Sequence, residues 1–238
     1  DNGAEMIFAE QNLPEISIPI IIVKNSRRSL ALIAKLFFQN PCDKFFLIGV
    51  TGTNGKTSIV KIIEKIMSSI PLPDRNFPSI ATIGTLGYTI KGVEYPLERT
   101  TPDITELHHI FQRFVEENIE YVIMEISSHA LKLDRVFGIN FDCALFTNLS
   151  REHLDFHPHM EDYFTSKAIL FDYLYSNNGT AIINVDDEYG RKLYNKYQGE
   201  KIGLSALEPV EDCDDHLSDS VTYKVISQSL TKTIVESF

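Results

Sequence analysis

The clearest chemical signal in the sequence is a glycine-rich segment followed by a lysine and two hydroxyl residues. It reads Gly-Val-Thr-Gly-Thr-Asn-Gly-Lys-Thr-Ser over residues 49–58. Glycines let backbone N–H groups turn toward phosphate oxygens, and a following helix adds the positive end of its dipole. In such a loop Lys56 would reach the β- and γ-phosphates of a nucleotide, and Thr57 would offer its hydroxyl to Mg²⁺. The core pattern G-x-x-G-K-T is present, although Val50 stands where the full pattern G-x-x-x-x-G-K-[ST] requires its first glycine.

The loop alone identifies neither the base nor the reaction. A GTPase would also carry an N-K-x-D motif, and the candidate at Asn195-Lys196-Tyr-Gln lacks the aspartate. A glycine turn with a chance lysine is the alternative interpretation. An apolar run directly before the loop and a helical pattern directly after it favour a nucleotide-phosphate site.

Polar side chains follow the apolar run at residues 121–126. Glu125 lies near its end, where a carboxylate in an α/β sheet faces the ligand crevice and suits Mg²⁺. Ser127 and Arg135 come next, and hydroxyl and guanidinium groups together can hold an anion. A solvated acid and a helix-capping serine are the alternatives. The Thr100-Thr101-Pro102-Asp103 segment is a weaker signal, because its composition alone favours a simple helix start.

Three histidines, His153, His157 and His159, follow the next apolar run. Their spacings suggest a zinc site, but no predicted helix carries them and no four-ligand set is evident. One histidine near a phosphate-bound Mg²⁺ is favoured instead. Lys167 lies on a predicted helix, and the sequence leaves open whether it is a surface lysine or part of a site.

These candidates are separated by short apolar runs and by segments of helical period. Apolar runs predict strands at residues 45–50, 80–85, 121–126, 143–146 and 181–184. Helical spacing predicts helices at residues 30–37, 59–70, 105–115, 160–175 and 188–197. Alternation predicts a hairpin around Lys91-Gly92 and a small β-ribbon near the C-terminus, at residues 221–226 and 233–235. The order predicts an α/β fold, a P-loop domain whose mostly parallel sheet is flanked by helices.

Composition and net charge argue against several classes of protein. The chain has 238 residues, of which 43% are hydrophobic and 23% charged, as in ordinary globular proteins. A formal net charge of −11 repels a phosphate backbone, so we expect no nucleic-acid partner. The longest apolar runs are far shorter than the ~20 residues that cross a bilayer, so we expect no membrane span. Three scattered cysteines and the lack of a signal-peptide pattern predict a reducing, cytoplasmic location.

Taken in order, these segments resemble the ATP-dependent Mur ligases. The matching segments lie at residues 49–57, 100–103, 124–131, 146–157, 160–164 ahead of Lys167, and 183–188. The resemblance implies an ATP-dependent amide-bond ligase of peptidoglycan precursor synthesis. Such an enzyme adds the third stem-peptide amino acid to UDP-N-acetylmuramoyl-L-Ala-D-Glu through an acyl-phosphate intermediate. The substrates would be small molecules, and we expect a monomer.

The resemblance also implies a domain organisation. Residues 1–25 would be the tail of an N-terminal domain that binds the UDP end of the substrate. Residues 26–238 would form most of the central ATP-binding domain, and the C-terminal amino-acid-binding domain would be absent. We therefore expect this chain to be part of a longer enzyme and to be inactive alone.

The resemblance assigns nucleotide and metal roles by position. The residues that would hold the ATP phosphates are Gly52, Thr53, Asn54, Gly55, Lys56, Thr57 and Ser58, and a block near the nucleotide adds Asn184 and Asp186. Thr57 and Glu125 would hold one Mg²⁺, and His153 and Lys167 would serve a second. In this family the matching lysine is carbamylated by CO₂. That reaction requires a neutral amine, so the pKa of Lys167 should be lowered in the folded site. Lys56, Lys167 and His153 would be the catalytic residues.

The resemblance assigns the muramoyl dipeptide to Thr100, Thr101, Ser127 and Arg135. Two positions depart from the family pattern. Leu133 stands where some members have a polar substrate-contacting residue, and Ser58 replaces a second threonine.

Two other functions remain as alternatives. A sister ligase such as folylpoly-γ-glutamate synthase shares the phosphate loop but lacks Thr-Thr-Pro-Asp and the His-Leu-Asp-Phe-His block. A nucleotide-binding module without catalysis would have lost Lys56, Glu125 or Lys167, and all three are present. The sequence leaves open whether lysine or meso-diaminopimelate is added, because that specificity would lie in the C-terminal domain.

Overall fold

The computed structural model describes residues 3–72, 77–152, 155–206, 221–228 and 233–237, the last two ranges as backbone strands. A short parallel pair near the N-terminus consists of β1 (Ile7–Ala9) and β2 (Ile20–Ile22). The main sheet contains β3 (Phe46–Thr51), β4 (Ile80–Gly84), β5 (Gly87–Ile90), β6 (Val93–Tyr95), β7 (Tyr121–Glu125), β8 (Cys143–Phe146), β9 (Thr180–Asn184), β10 (Lys201–Ser205), β11 (Val221–Gln228) and β12 (Thr233–Ser237). The helices are α1 (Ser26–Phe37), α2 (Lys56–Met67), α3 (Ile104–Glu116), α4 (Ser128–Lys132), α5 (Met160–Ser176) and α6 (Glu188–Lys196).

The main sheet is mostly parallel, as the sequence predicts. Its strand order is β12-β11-β10-β9-β8-β3-β7-β4-β5-β6. Strands from β11 to β4 in this order run parallel, while β5, β6 and β12 pair antiparallel with their neighbours. The predicted hairpin at Lys91-Gly92 and the predicted C-terminal ribbon are both confirmed. Strand β3 lies between β7 and β8, so three strand ends that carry candidate site residues are neighbours at one edge.

Helices cover both faces of the sheet. On one face α3 and α5 supply the large core, with Phe111, Phe114 and Phe171 fully or almost fully buried. On the other face α2 packs Val60 against Ile48 and neighbouring strand residues. Within the described residues, no helix is both long enough and apolar enough to cross a membrane.

Local signals explain where several helices begin. The Asn25 side chain accepts from the Arg28 N–H at 2.9 Å and starts α1, and Asp187 caps α6 in the same way through Gly190. The sequence did not predict α4, a helix of only five residues. It also missed the 3-10 turn at Pro41–Lys44, where a four-residue element gives too little periodicity to detect.

Candidate functional site

The phosphate loop forms the turn between β3 and α2. Gly52 has φ +149° and Gly55 has φ +85°, backbone regions that favour glycine. A Cβ on Gly52 would also overlap the Thr147 hydroxyl, so no other residue fits there. Gly55 precedes the first residue of α2, so the loop lies at the positive end of that helix. The arrangement matches the predicted strand, loop and helix.

The segment that follows β8 fixes the shape of this loop. The N–H groups of Thr53 and Asn54 donate to the Asn148 carbonyl at 2.9 Å and to its side-chain oxygen at 3.0 Å. The Thr147 hydroxyl donates to the Asn54 carbonyl at 2.8 Å, and the Ser150 N–H donates to the Thr53 hydroxyl at 3.0 Å. Sequence reasoning missed this clamp. The only available signal was that polar residues follow the apolar runs at residues 45–50 and 143–146. Because parallel strands end at the same edge of a sheet, such residues are expected to be neighbours.

Two lysines converge on one carbonyl of the loop. Lys56 Nζ donates to the Gly52 carbonyl at 3.0 Å and to the Thr53 carbonyl at 2.9 Å. Lys167 Nζ donates to the Gly52 carbonyl at 2.7 Å and lies 4.6 Å from the centre of the Tyr163 ring. Lys167 is only 1% exposed, so the surface-lysine interpretation is wrong.

Burial is the main influence on the pKa of each of these two lysines. It lowers the pKa of Lys167 well below its ordinary value, the nearby positive charge of Lys56 lowers it further, and Glu152 opposes both. The pKa of Lys56 is also lowered by burial, against the attraction of Glu125 and Glu152. A buried amine with a lowered pKa is the condition that carbamylation requires, as the sequence analysis expected.

Glu125 lies beneath the loop as a buried carboxylate. It is 1% exposed, and the Thr57 hydroxyl donates to its Oε2 at 3.0 Å. The Thr85 N–H donates to its Oε1 at 2.9 Å, and the Thr85 hydroxyl to its Oε2 at 3.2 Å. Gly84 leaves the space that this carboxylate fills, because a Cβ there would overlap its oxygen. Sequence reasoning missed both Gly84 and Thr85.

The oxygens of Thr57 and Glu125 fit a magnesium ion. Mg²⁺ prefers oxygen donors and usually takes one or two protein carboxylates together with nucleotide phosphates and water. In the part of the chain that the structure describes, no group of three His, Cys, Asp or Glu side chains could hold a metal ion alone. A cation here would therefore take its remaining ligands from a nucleotide and from water.

A cleft of about 600 Å³ joins this phosphate site to the predicted substrate residues. Its lining includes residues 53–58 and Glu125 on one side, and Thr100, Thr101, Ser127 and Arg135 on the other. The structure thus brings all four predicted substrate residues to the phosphate loop. Their role in binding a substrate remains a prediction.

Hydrogen bonds order the substrate side of the cleft. The Thr101 hydroxyl donates to the Glu125 carbonyl at 3.0 Å and accepts from the Ser127 N–H at 3.1 Å. The Ser127 hydroxyl also accepts from the Ala130 N–H at 3.2 Å, so it caps α4 while it lines the cleft.

Two arginines that line the cleft share one carboxylate. Arg135 Nε lies 2.9 Å from Asp103 Oδ1, and Arg99 Nη1 lies 2.6 Å from Asp103 Oδ2. Arg99 was not among the predicted substrate residues. Two guanidinium groups therefore lie on this side of the cleft, together with the carboxylates of Asp103 and Glu98.

Two predicted site residues, Asn184 and Asp186, do not line the cleft. Asn184 donates from its amide to the Thr147 carbonyl at 2.7 Å, and the Asp186 carboxylate accepts from the Ser205 hydroxyl at 2.5 Å. Neither residue lines the cleft, so their nucleotide role remains a prediction. His153 lies outside the described residues.

The other two histidines of the zinc alternative are engaged in hydrogen bonds. His157 is fully buried, with Nδ1 2.7 Å from the Asp162 carboxylate and Nε2 2.9 Å from the Ser128 hydroxyl. Burial lowers the pKa of His157 against the opposing effect of Asp162, so the ring is neutral near pH 7. His159 Nδ1 accepts from the Asp162 N–H and caps α5. Ser128 is itself buried, whereas Asp162 is partly exposed, and the three side chains tie α4 to α5.

Comparisons with known proteins agree with this geometry. A family model described as the Mur ligase middle domain matches residues 50–232. A UDP-N-acetylmuramoyl-L-alanyl-D-glutamate–2,6-diaminopimelate ligase from Clostridium botulinum is 40% identical over 206 residues, which are 85% of this chain and 41% of that protein.

Two solved structures are also similar. One is a UDP-N-acetylmuramoyl-L-alanyl-D-glutamate–2,6-diaminopimelate ligase with 26% identity and a TM-score of 0.81, matched over 99% of this chain and 46% of that one. The other is a MurF ligase from Thermotoga maritima in complex with ADP, with 21% identity and a TM-score of 0.55 over 99% of this chain and 47% of that one; it supports the fold alone. The chain spans about two fifths of the length of the curated relatives that it matches.

Proposed function

The chain belongs to the Mur ligase family, and we propose that it is the ATP-binding part of an enzyme that joins an amino acid to UDP-N-acetylmuramoyl-L-Ala-D-Glu. The observation that carries this proposal is the cleft in which the phosphate loop and Glu125 face Thr100, Thr101 and Arg135. The names of the relatives support 2,6-diaminopimelate as the added amino acid. The enzyme would act on small molecules, as a monomer in the cytoplasm.

In the nucleotide half, residues 52–58 would hold the ATP phosphates. Lys56 donates to two loop carbonyls in the structure and would turn its ammonium to the β- and γ-phosphates. Thr57 and Glu125 would hold Mg²⁺, which when bound supplies positive charge that offsets the charge of the phosphates. Asn184 and Asp186 would support this half from the end of β9.

In the substrate half, Arg135 and the hydroxyls of Thr100, Thr101 and Ser127 would orient the D-glutamyl carboxylate. An oxygen of that carboxylate attacks the γ-phosphorus, the bond to ADP breaks, and an acyl phosphate forms. The amine of the incoming amino acid then attacks the acyl carbon and loses a proton, and inorganic phosphate leaves. Because both first reactants are anions, the cations around the cleft lower the repulsion between them.

Lys167 would act after modification. Its neutral amine would add to CO₂ and lose a proton, which gives a carbamate with two oxygen donors. Its burial, its lowered pKa and its position at the Gly52 carbonyl support this proposal. With His153, the carbamate would complete a second Mg²⁺ position.

Binding of Mg-ATP and Mg-GTP, measured by calorimetry, tests the nucleotide half. We expect the chain to bind ATP in preference to GTP and Lys56→Ala to lose that binding. Lys65→Ala is the matched control, because Lys65 lies on the same helix, is exposed and does not line the cleft. If the Lys56 variant binds ATP as tightly as the wild type, the nucleotide assignment is wrong.

Turnover in the full-length protein tests the reaction. UDP-N-acetylmuramoyl-L-Ala-D-Glu, ATP and either meso-diaminopimelate or L-lysine are supplied, and ADP release and the amide product are measured. We expect product with diaminopimelate and none with Lys56→Ala. Activity of that variant above a tenth of the wild-type value contradicts the proposed function.

A further inference from the structure

Thr85 joins the nucleotide half of the cleft to the substrate half. It follows β4 and lines the cleft. Its N–H and its hydroxyl both donate to the Glu125 carboxylate, at 2.9 Å and 3.2 Å. The same hydroxyl oxygen lies 3.1 Å from the Thr100 hydroxyl. The proposed function gives Thr85 no role.

The chemistry of the groups fixes the direction of these hydrogen bonds. The Thr85 hydroxyl donates to the Glu125 carboxylate, so its single proton is used there. Its oxygen must then accept the proton of Thr100. The result is a directed chain in which Thr100 donates to Thr85 and Thr85 donates to Glu125. Because Thr57 donates to the same carboxylate oxygen at 3.0 Å, this chain ends where a nucleotide-bound cation would bind.

Glu125 itself has little freedom to move. Gly84 lies directly against its carboxylate, and Thr101 binds its backbone carbonyl at 3.0 Å. When a cation binds a Glu125 carboxylate oxygen, we therefore expect the hydrogen bonds to that oxygen to change more than the position of the Glu125 side chain. On the substrate side, the hydroxyl that would respond is that of Thr85.

We propose that Thr85 is a positioning residue that couples occupation of the nucleotide–metal site to occupation of the muramoyl-dipeptide site. This inference rests on the proposed function. When Glu125 shares its oxygen with a cation it accepts a weaker hydrogen bond from Thr85. Thr85 then no longer holds the Thr100 hydroxyl in place, and Thr100 is free to donate to an oxygen of the substrate. Binding on either side thus strengthens binding on the other, since such coupling is reciprocal.

Calorimetry on the full-length protein tests the coupling without turnover. The probes are Mg²⁺ with a non-hydrolysable ATP analogue, and UDP-N-acetylmuramoyl-L-Ala-D-Glu. The Kd for the muramoyl dipeptide is measured with and without the nucleotide. For the wild type we expect the nucleotide to lower this Kd about five-fold, at the weaker end of typical couplings. Thr85→Val keeps the backbone donor but removes the hydroxyl, and should bring the ratio to about one, whereas Thr85→Ser should restore it.

The outcomes separate this inference from the proposed function. If the wild type binds both ligands and Thr85→Val keeps the full ratio, the inference is wrong and the proposed function stands. A wild-type ratio of one overturns the inference in the same way. If the wild type binds neither ligand, the proposed function fails. Should Thr85→Val not fold, Thr100→Val tests the chain from its other end, and a ratio that survives in that variant also contradicts the inference.

Discussion

His108 gives this domain a measurable sensitivity to acid. It lies on α3 and is fully buried, with its ring stacked against Phe38 at 6.2 Å between ring centres. Within the described residues, neither ring nitrogen has a hydrogen-bond partner. Burial therefore lowers the pKa of His108 to about 4, and the positive charge of Lys35 adds to the effect.

The sign and size of the effect follow from proton linkage. The folded state keeps His108 neutral down to about pH 4, while the unfolded chain binds a proton near pH 6.5. Between these two values the unfolded state binds more protons, so the free energy of unfolding falls as the pH is lowered. From pH 7 to pH 5 this single group should lower it by about 2 kcal/mol. That is a large fraction of the roughly 5–15 kcal/mol that stabilises a typical domain.

Urea unfolding of the wild type and of His108→Phe at pH 7 and pH 5 measures the effect. We expect the phenylalanine variant to lose about 2 kcal/mol less than the wild type between the two pH values. His157 titrates with the same sign but is present in both proteins, so its contribution cancels in the difference. His109→Gln, a change at the exposed neighbour, should behave as the wild type does. An equal loss in the wild type and His108→Phe would refute this account of the buried ring.

Two further changes test Gly84, which lies against the Glu125 carboxylate, and the buried Lys167. Gly84→Ala places a Cβ against the Glu125 carboxylate and should weaken Mg-ATP binding at least ten-fold in calorimetry, while Gly92→Ala, where nothing lies within 4 Å, should lower only the melting temperature. Unchanged Mg-ATP binding by the first variant would contradict the steric argument. Lys167→Met replaces a buried amine by an apolar chain of similar length, and the Gly52 carbonyl keeps Lys56 as a donor. We expect the free energy of unfolding at pH 7 to rise by about 1–3 kcal/mol while turnover in the full-length protein is lost, and a less stable variant would show that the amine stabilises the fold.

Most of the sheet and the phosphate loop could be predicted because their signals are local, although no strand was predicted at β10, which lies between β9 and β11. Parallel strands are buried on both faces and read as continuous apolar runs, as at residues 45–50 and 121–126. The hairpin turn at Lys91-Gly92 needs positive φ at both residues, and the structure has φ +48° and +82° there. The phosphate-loop pattern is also local, because its glycines and the Lys-Thr pair at the start of the helix lie within ten residues.

The remaining site features depend on contacts between distant segments. Sequence spacing alone could not assign Lys167 to the core, because its partner is the Gly52 carbonyl, 115 residues away. Thr85 has no motif of its own and gains its position from Glu125, which lies on another strand. The Asn148 clamp on the loop likewise exists only because β8 lies next to β3. The role proposed for Lys167 comes from the family resemblance, because no local pattern indicates it.

The position of β3 between β7 and β8 has a consequence for how the chain folds. The phosphate loop is synthesised before the residues that hold its shape: Asn148 is 94 residues beyond Asn54, and Lys167 is 115 residues beyond Gly52. Such distant pairings close large loops and form slowly, after local helices and hairpins. A ribosome-bound chain that ends before β8 and α5 therefore lacks the partners of its own phosphate loop. The proposed nucleotide site is therefore complete only when β3 has paired with both β7 and β8.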